Sequence, residues 1–274
     1  MIDQTIAIYT IVDDLLKAIG HQDDQRRLMT DAEVATTAIV AALFFGGNLE
    51  KAKCCLHQTR LMPRMLSKGR LCRRLHQIAE LMFALFHQLG MVFKDANTKM
   101  QYVLASFPVA VCDNIRISRT KIVQGEAFRG YIPSKKRYFY GVRIYVLATV
   151  DGIPVEIVFL PGRLHDVNVL HEMPFNLPAS SEIFSDSAFT DYTIEDALKN
   201  ADGIALRPVR KSNSKRADEP WVHYLKNYYR KQIETVFSEI TFLFPKHIHA
   251  VTIEGFLIKV SFFIYAFALQ KAFL

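Results

Sequence analysis

The stretch YFYGVRIYVLATV (residues 138–150), Asp151-Gly152, IPVEIVFLPG (153–162) decides the fold. Both runs are dense in Val, Ile, Tyr and Phe, the side chains that suit a pleated surface, and Asp-Gly between them is a hairpin turn signal. Upstream, FPVAVCD (107–113) carries the same composition, so the spacing predicts three consecutive antiparallel strands. Downstream, His165–Met173 reads as a helix or loop. A short strand EIFSD then ends at Asp186, a helix TIEDALKN stops at Ala201-Asp202-Gly203, and a fifth strand IALRPV follows. The polar run RKSNSKRADEP reads as an exposed loop. Long helices are expected over Trp221–Phe244, with Trp221 anchored in the core, and over Thr252–Phe273. This order, three strands and then alternating helices and strands, predicts an α/β class with a mixed five-stranded sheet covered by helices.

Before this sheet the pattern is helical. Ile8, Ile11, Val12, Leu15, Leu16 and Ile19 trace one apolar stripe that Gly20 closes, and VATTAIVAALFFGG and LHQIAELMFALFHQLG follow. The polar segment KDANTKMQ (94–101) marks a boundary, giving an expected helical domain over 1–103 and a sheet domain over 104–274.

Of 274 residues, half are hydrophobic and only four are Cys, which excludes a disordered chain and a disulfide scaffold. A formal charge of +7 favours a polyanionic partner. The first residues lack a basic, secretory-type leader, and the apolar run Gly255–Leu269 is short for a membrane span and interrupted by Lys259. A buried or dimer-facing helix and a cytoplasmic protein without a membrane partner are therefore expected.

Three acids stand where chemistry gathers: Asp113 after the first strand, Asp186 after the fourth, and Glu234 beside the apolar stripe Ile233, Val236, Phe237, Ile240. Carboxylates drawn from distant parts of the chain are what two Mg²⁺ ions require, since hard cations take oxygen ligands and relieve the repulsion among close acids. The plainer alternative is a pair of turn residues and a solvated glutamate, with Asp191 and Glu239 as rivals.

The segments SFPVAVCDNIRISRTKI (106–122), FRGYIPSKKRYFYGVRIYVLATVDGIPVE (128–156), PGRLHDVNVL (161–170) and YRKQIETVFSEI (229–240) resemble the catalytic domain of DDE-type bacterial insertion-sequence transposases, the insertion sequence 982 family in particular. The resemblance implies an RNase H-like fold behind a helical DNA-binding domain. It also implies metal-dependent cleavage of DNA at element ends, and transfer of the exposed strand into target DNA. It places the three metal-holding catalytic acids on Asp113, Asp186 and Glu234, with two Mg²⁺ ions for which Mn²⁺ substitutes. It puts the family's His-Asp pair on His165 and Asp166, and its basic residue one turn before the Glu on Arg230, with Lys231 beside it.

The implied partners are duplex DNA, both terminal inverted repeats and target, and further copies of the chain in a homodimer or larger assembly. The implied location is the bacterial cytoplasm, at the nucleoid. One departure stands out. Ser187-Ala188-Phe189 follow Asp186 where many relatives carry Lys-Gly-Tyr, which removes a phosphate contact.

Two acid-poor basic segments fit such partners. Residues 51–76 hold eight Lys/Arg, among them Arg70, Arg73 and Arg74, and no acid. Residues 115–143 hold eight more, among them Arg116, Arg119, Lys135 and Lys136, with Glu126 the only acid. The first segment is expected to present a helix to the major groove and the second to hold the strand at the acids. Two other readings keep the same residues: a nuclease that cuts without joining, and an inactive relative that occupies DNA as a repressor.

Overall fold

A computed structural model describes residues 1–112, 120–132, 136–218 and 220–273. Five helices come first: α1 (Ile2–Ala18), α2 (Asp31–Phe45), α3 (Leu49–Gln58), α4 (Lys68–Gln77) and α5 (Ala79–Ala96). Strands β1 (Gln101–Cys112), β2 (Arg129–Ile132), β3 (Arg137–Thr149) and β4 (Pro154–Pro161) follow. Then come α6 (Val169–Glu172), β5 (Glu182–Ser185), α7 (Tyr192–Asp202), β6 (Ala205–Pro208), α8 (Pro220–Leu243) and α9 (Ile253–Phe273). The described residues form two compact units, Met1–Leu89 with Glu239–Leu274, and Gly90–Ser238.

The first unit is helical. Ile8, Val12 and Leu16 bury one stripe of α1, as the apolar spacing requires. Thr30 caps α2 reciprocally: its hydroxyl accepts from the Glu33 N–H at 3.1 Å, and the Glu33 carboxylate accepts from the Thr30 N–H at 2.8 Å. Helices α2 and α9 are apolar on every face and are the centre of this unit, packed on each other. Tyr265 of α9 meets Phe86 edge-on at 5.8 Å, and Phe263 meets Phe244 at 5.1 Å. Helix α9 is long and apolar enough to cross a membrane, and twelve of its residues are buried within the protein, which fits a core helix. The expected division at residue 103 grouped this helix with the sheet. Its contacts with α2 and α4 group it with the N-terminal helices instead.

The second unit carries one mixed sheet in the order β2-β3-β1-β5-β6, with β4 also on β3. Strands β1, β3 and β4 form the expected antiparallel meander, Tyr102 facing Thr149 and Val142 facing Pro161 at opposite ends of the registers. Strands β5 and β6 then run parallel to β1. The sheet has one strand beyond the expected five. At four residues, β2 is too short to show a period in the sequence, and it pairs only with Arg137–Tyr140 of β3. Gly90 of α5 lies so close to β4 that a Cβ there would stand 2.0 Å from the Val155 carbonyl oxygen. Beside this crossing Lys94 and Glu156 form a buried ion pair, Nζ to Oε1 2.6 Å.

Candidate active site

The unequal lengths of two strands set where this sheet opens. Strand β5 pairs with only the first four residues of β1, ending with Leu104 beside Ser185. The chain then leaves the sheet in a short turn, Ser187–Phe189, whose first N–H donates to Asp186 Oδ1 at 2.6 Å. Continued one step, this register would bring Ala105 to Asp186, and both residues line one cleft. Helix α8 covers this face: Phe184 packs on Tyr229 at 4.6 Å, and Phe107 on Phe237 at 4.8 Å. Alternate residues of a strand share a face, so Ala105 lies on the side of Phe107 and Asp186 on the side of Phe184. Phe184 and Phe107 meet α8 at Tyr229 and Phe237, on either side of Glu234 in the helix. The result is a cleft of about 800 Å³ lined by Val103–Ser106, His165, Asp166, Asp186, Arg230 and Glu234 among others.

Asp166 is the third carboxylate in this cleft, and it is already committed. Its Oδ1 accepts from Tyr145 Oη at 2.9 Å, from Arg143 Nη1 at 3.1 Å and from Ser106 Oγ at 3.2 Å. Burial, reinforced by the Asp166 charge, pushes the Tyr145 hydroxyl far above the usual phenol range, so it remains a donor. Lys226, also on the cleft wall, is turned to structure: its Nζ donates to the Pro208 carbonyl at 2.8 Å and to the Asp218 carboxylate at 2.6 Å. Burial lowers this ammonium's pKa, and Asp218 opposes the shift.

Asp186 and Glu234 are thus the acids turned to the cleft, Glu234 with Arg230 Nε 3.4 Å away on the exposed face of α8. Two carboxylates on facing elements suit one divalent cation. A pair of ions sharing a site needs more oxygen ligands than these residues provide. Among the described residues, the only three acids or histidines close enough to share one ion are His21, Asp23 and Asp31, in the helical unit. There, Asp31 is held by Arg74 at 2.5 Å and Arg27 at 3.1 Å, which gives that trio a structural explanation.

Of the expected site residues, the cleft brings together Asp186, Glu234, His165, Asp166 and Arg230. Lys231 is exposed on α8 and Lys136 is exposed just before β3. Asp113, Arg116, Arg119 and Lys135 lie outside the described residues. Cys112, the neighbour of Asp113, pairs with Tyr140 six residues beyond the last β1 residue of the cleft. Arg70 and Arg73 are exposed and line a surface pocket of the helical unit with Arg26 and Arg27, whereas Arg74 is spent on Asp31. Trp221 corrects an expectation. It is 60 % exposed, and at helical spacing it shares an outward stripe of α8 with the exposed Tyr224 and Tyr228. The residues that sequence reading missed are Ser106, Tyr145 and Lys226, together with the inward role of Arg143. A charged residue inside the apolar strand YGVRIYVL was the one available signal.

The comparison with curated proteins gave no match, and neither did the comparison with solved structures. The transposase DDE domain family matches residues 94–247, more than half of the chain, and the match takes in every described element of the cleft. The chain belongs to the transposase DDE domain family.

Proposed function

We propose that the sheet unit is an RNase H-like domain whose cleft receives a DNA phosphodiester, as part of a transposase acting at the ends of an insertion element of the insertion sequence 982 type. The observation that carries this reading is the meeting of Asp186, Glu234 and Arg230 in one open cleft within the matched region. A divalent cation, Mg²⁺ or Mn²⁺, bound by Asp186 and Glu234 would supply charge stabilisation at the phosphate and activation of water or a 3′ hydroxyl. Arg230 would hold a phosphate oxygen beside Glu234, and the exposed His165 and Lys231 would extend the contact along the strand. The family resemblance implies Asp113 as a further ligand, and the Asp113→Asn variant tests whether it contributes. In the helical unit, Arg70 and Arg73 would bind duplex DNA through its phosphates. Two DNA ends held together imply a dimer or larger assembly.

The test uses duplex DNA from the regions flanking the chain's own coding sequence, incubated with Mg²⁺ and mapped for nicks. Glu234→Gln and Asp113→Asn serve as parallel variants. Cuts by the wild type alone support a transposase, and joining of the cut strand separates it from a nuclease. A second reading, DNA binding without cutting, is favoured by the commitment of Asp166 to Arg143 and Tyr145, which leaves two acids to the cleft among the described residues. Salt-sensitive binding with no Mg²⁺- or Mn²⁺-dependent nicks would establish it.

A further inference from the structure

On β1, the residue that stands beside Asp186 and faces Glu234 is Ala105. This follows from the Leu104–Ser185 pairing and from the Phe107–Phe237 and Phe184–Tyr229 contacts that fix the shared face. A carboxylate at this position would complete a three-cornered set from β1, β5 and α8, lifted off the sheet on one side and met by the helix on the other. A methyl group offers no ligand there. Its neighbour Ser106 points to the opposite face and donates to Asp166. We infer that position 105 is the vacant third corner of the cleft, so that this chain holds a divalent cation weakly and binds DNA without cutting it, and that Ala105→Asp completes the site. The inference rests on the reading of the cleft as a phosphodiester site.

Ala105 is partly exposed in an open cleft, so an aspartate there has room and solvent. Two carboxylates give a hard cation few oxygen ligands, and a third adds both a ligand and a charge. The same reasoning makes the gain dependent on Asp186, its register neighbour.

The experiment is a titration of the full chain with Mn²⁺ alone, following the free ion by its paramagnetic resonance signal, on the wild type, A105D, D113N and A105D/D186N. Circular dichroism and urea midpoints accompany it to establish folding. The expected result is weak binding by the wild type, unchanged in D113N, and at least tenfold tighter binding by A105D that A105D/D186N loses. Equal affinity of folded A105D and wild type overturns the inference. So does a tenfold loss in D113N, because Asp113 would then already supply the third ligand. Should A105D not fold, the wild type and D113N decide alone, and two tight Mn²⁺ equivalents on the wild type overturn it. Salt-dependent DNA binding is measured beside these titrations. If it is absent, the phosphodiester reading fails. If it is present without a gain in A105D, only the present inference fails.

Discussion

Tyr145, buried in β3, and Asp166 of the cleft wall are joined by a 2.9 Å hydrogen bond, the phenol donating to the same oxygen that Arg143 also contacts. The arrangement holds the His165–Asp166 turn against the middle of β3. Tyr145→Phe removes the donor without changing the packing and should cost about 1 kcal/mol. Asp166→Ala leaves the mostly buried Arg143 without its counter-charge and should cost about 3 kcal/mol. Urea denaturation of both variants checks the order, and equal costs would show that Arg143 is solvated instead of clamped.

The Lys94–Glu156 pair lies at 1 % and 4 % exposure, where desolvation is severe for a lone charge. Lys94→Met or Glu156→Gln alone should each cost about 3 kcal/mol or more, whereas the double change Lys94→Met, Glu156→Leu should recover much of that loss. Denaturant midpoints for the complete double-mutant cycle provide the measurement. Additive losses would contradict direct pairing.

At Gly90, helix propensity and packing disagree in sign. Alanine is favoured over glycine in a helix interior by about 1 kcal/mol. Its Cβ would nevertheless sit 2.0 Å from the Val155 carbonyl oxygen, forcing α5 away from β4. Overpacking of this kind costs about 1–3 kcal/mol, so Gly90→Ala should lower the thermal midpoint. A raised midpoint would mean that the helix sits further from the strand.

The arginines near α4 divide into two sets. Arg70 and Arg73 are exposed, while Arg74 Nη2 pairs with the buried Asp31 at 2.5 Å. The double variant Arg70→Ala, Arg73→Ala should keep its stability and bind DNA with a shallower dependence on log salt, by about one to two in slope. Arg74→Ala should instead destabilise the helical unit by about 2 kcal/mol, with Arg27 and His21 still beside Asp31. An unchanged salt slope for the double variant would remove α4 from the DNA contact.

Alkaline stability follows from two phenols. Burial raises the pKa of both Tyr145 and Tyr265 above the ordinary 10.0, and Asp166 adds to the rise at Tyr145. Below pH 10 both are protonated whether the chain is folded or not, so their contribution is complete. Above pH 10 only the unfolded chain releases these protons, and each phenol removes about 1.4 kcal/mol of stability per further pH unit. Phenolate absorbance and circular dichroism should therefore change together in the last phase of a base titration. Full ionisation in a folded protein would contradict the burial.

The meander, both parallel strands and the long helices were legible because apolar runs and turn residues act over short windows. The placement of Asp186 directly after a strand and of Glu234 on the long helix was legible because each closes or borders such a run. The position of the cleft along β1 was less so. The sequence places the first strand from Phe107, yet pairing begins at Gln101, within a segment whose polar residues resemble a linker. The partner β5 is only four residues long, and nothing local to β1 records where its neighbour ends. Asp166 illustrates the same limit, since a charged residue in a turn says nothing of the arginine and tyrosine that claim it.

The place of α9 in the core of the N-terminal helices has a consequence for biosynthesis. Helix α2 is apolar on every side, and its partner is made roughly 150 residues after Leu89, once the whole sheet unit has been translated. At about 5–20 residues per second, the early helices wait roughly eight to thirty seconds for their last wall. The sheet unit, continuous in sequence, can close in that interval. Chaperone demand should therefore concentrate on residues 1–89 as they emerge, and a ribosome stalled before residue 253 would display an aggregation-prone α2 while the sheet is already complete.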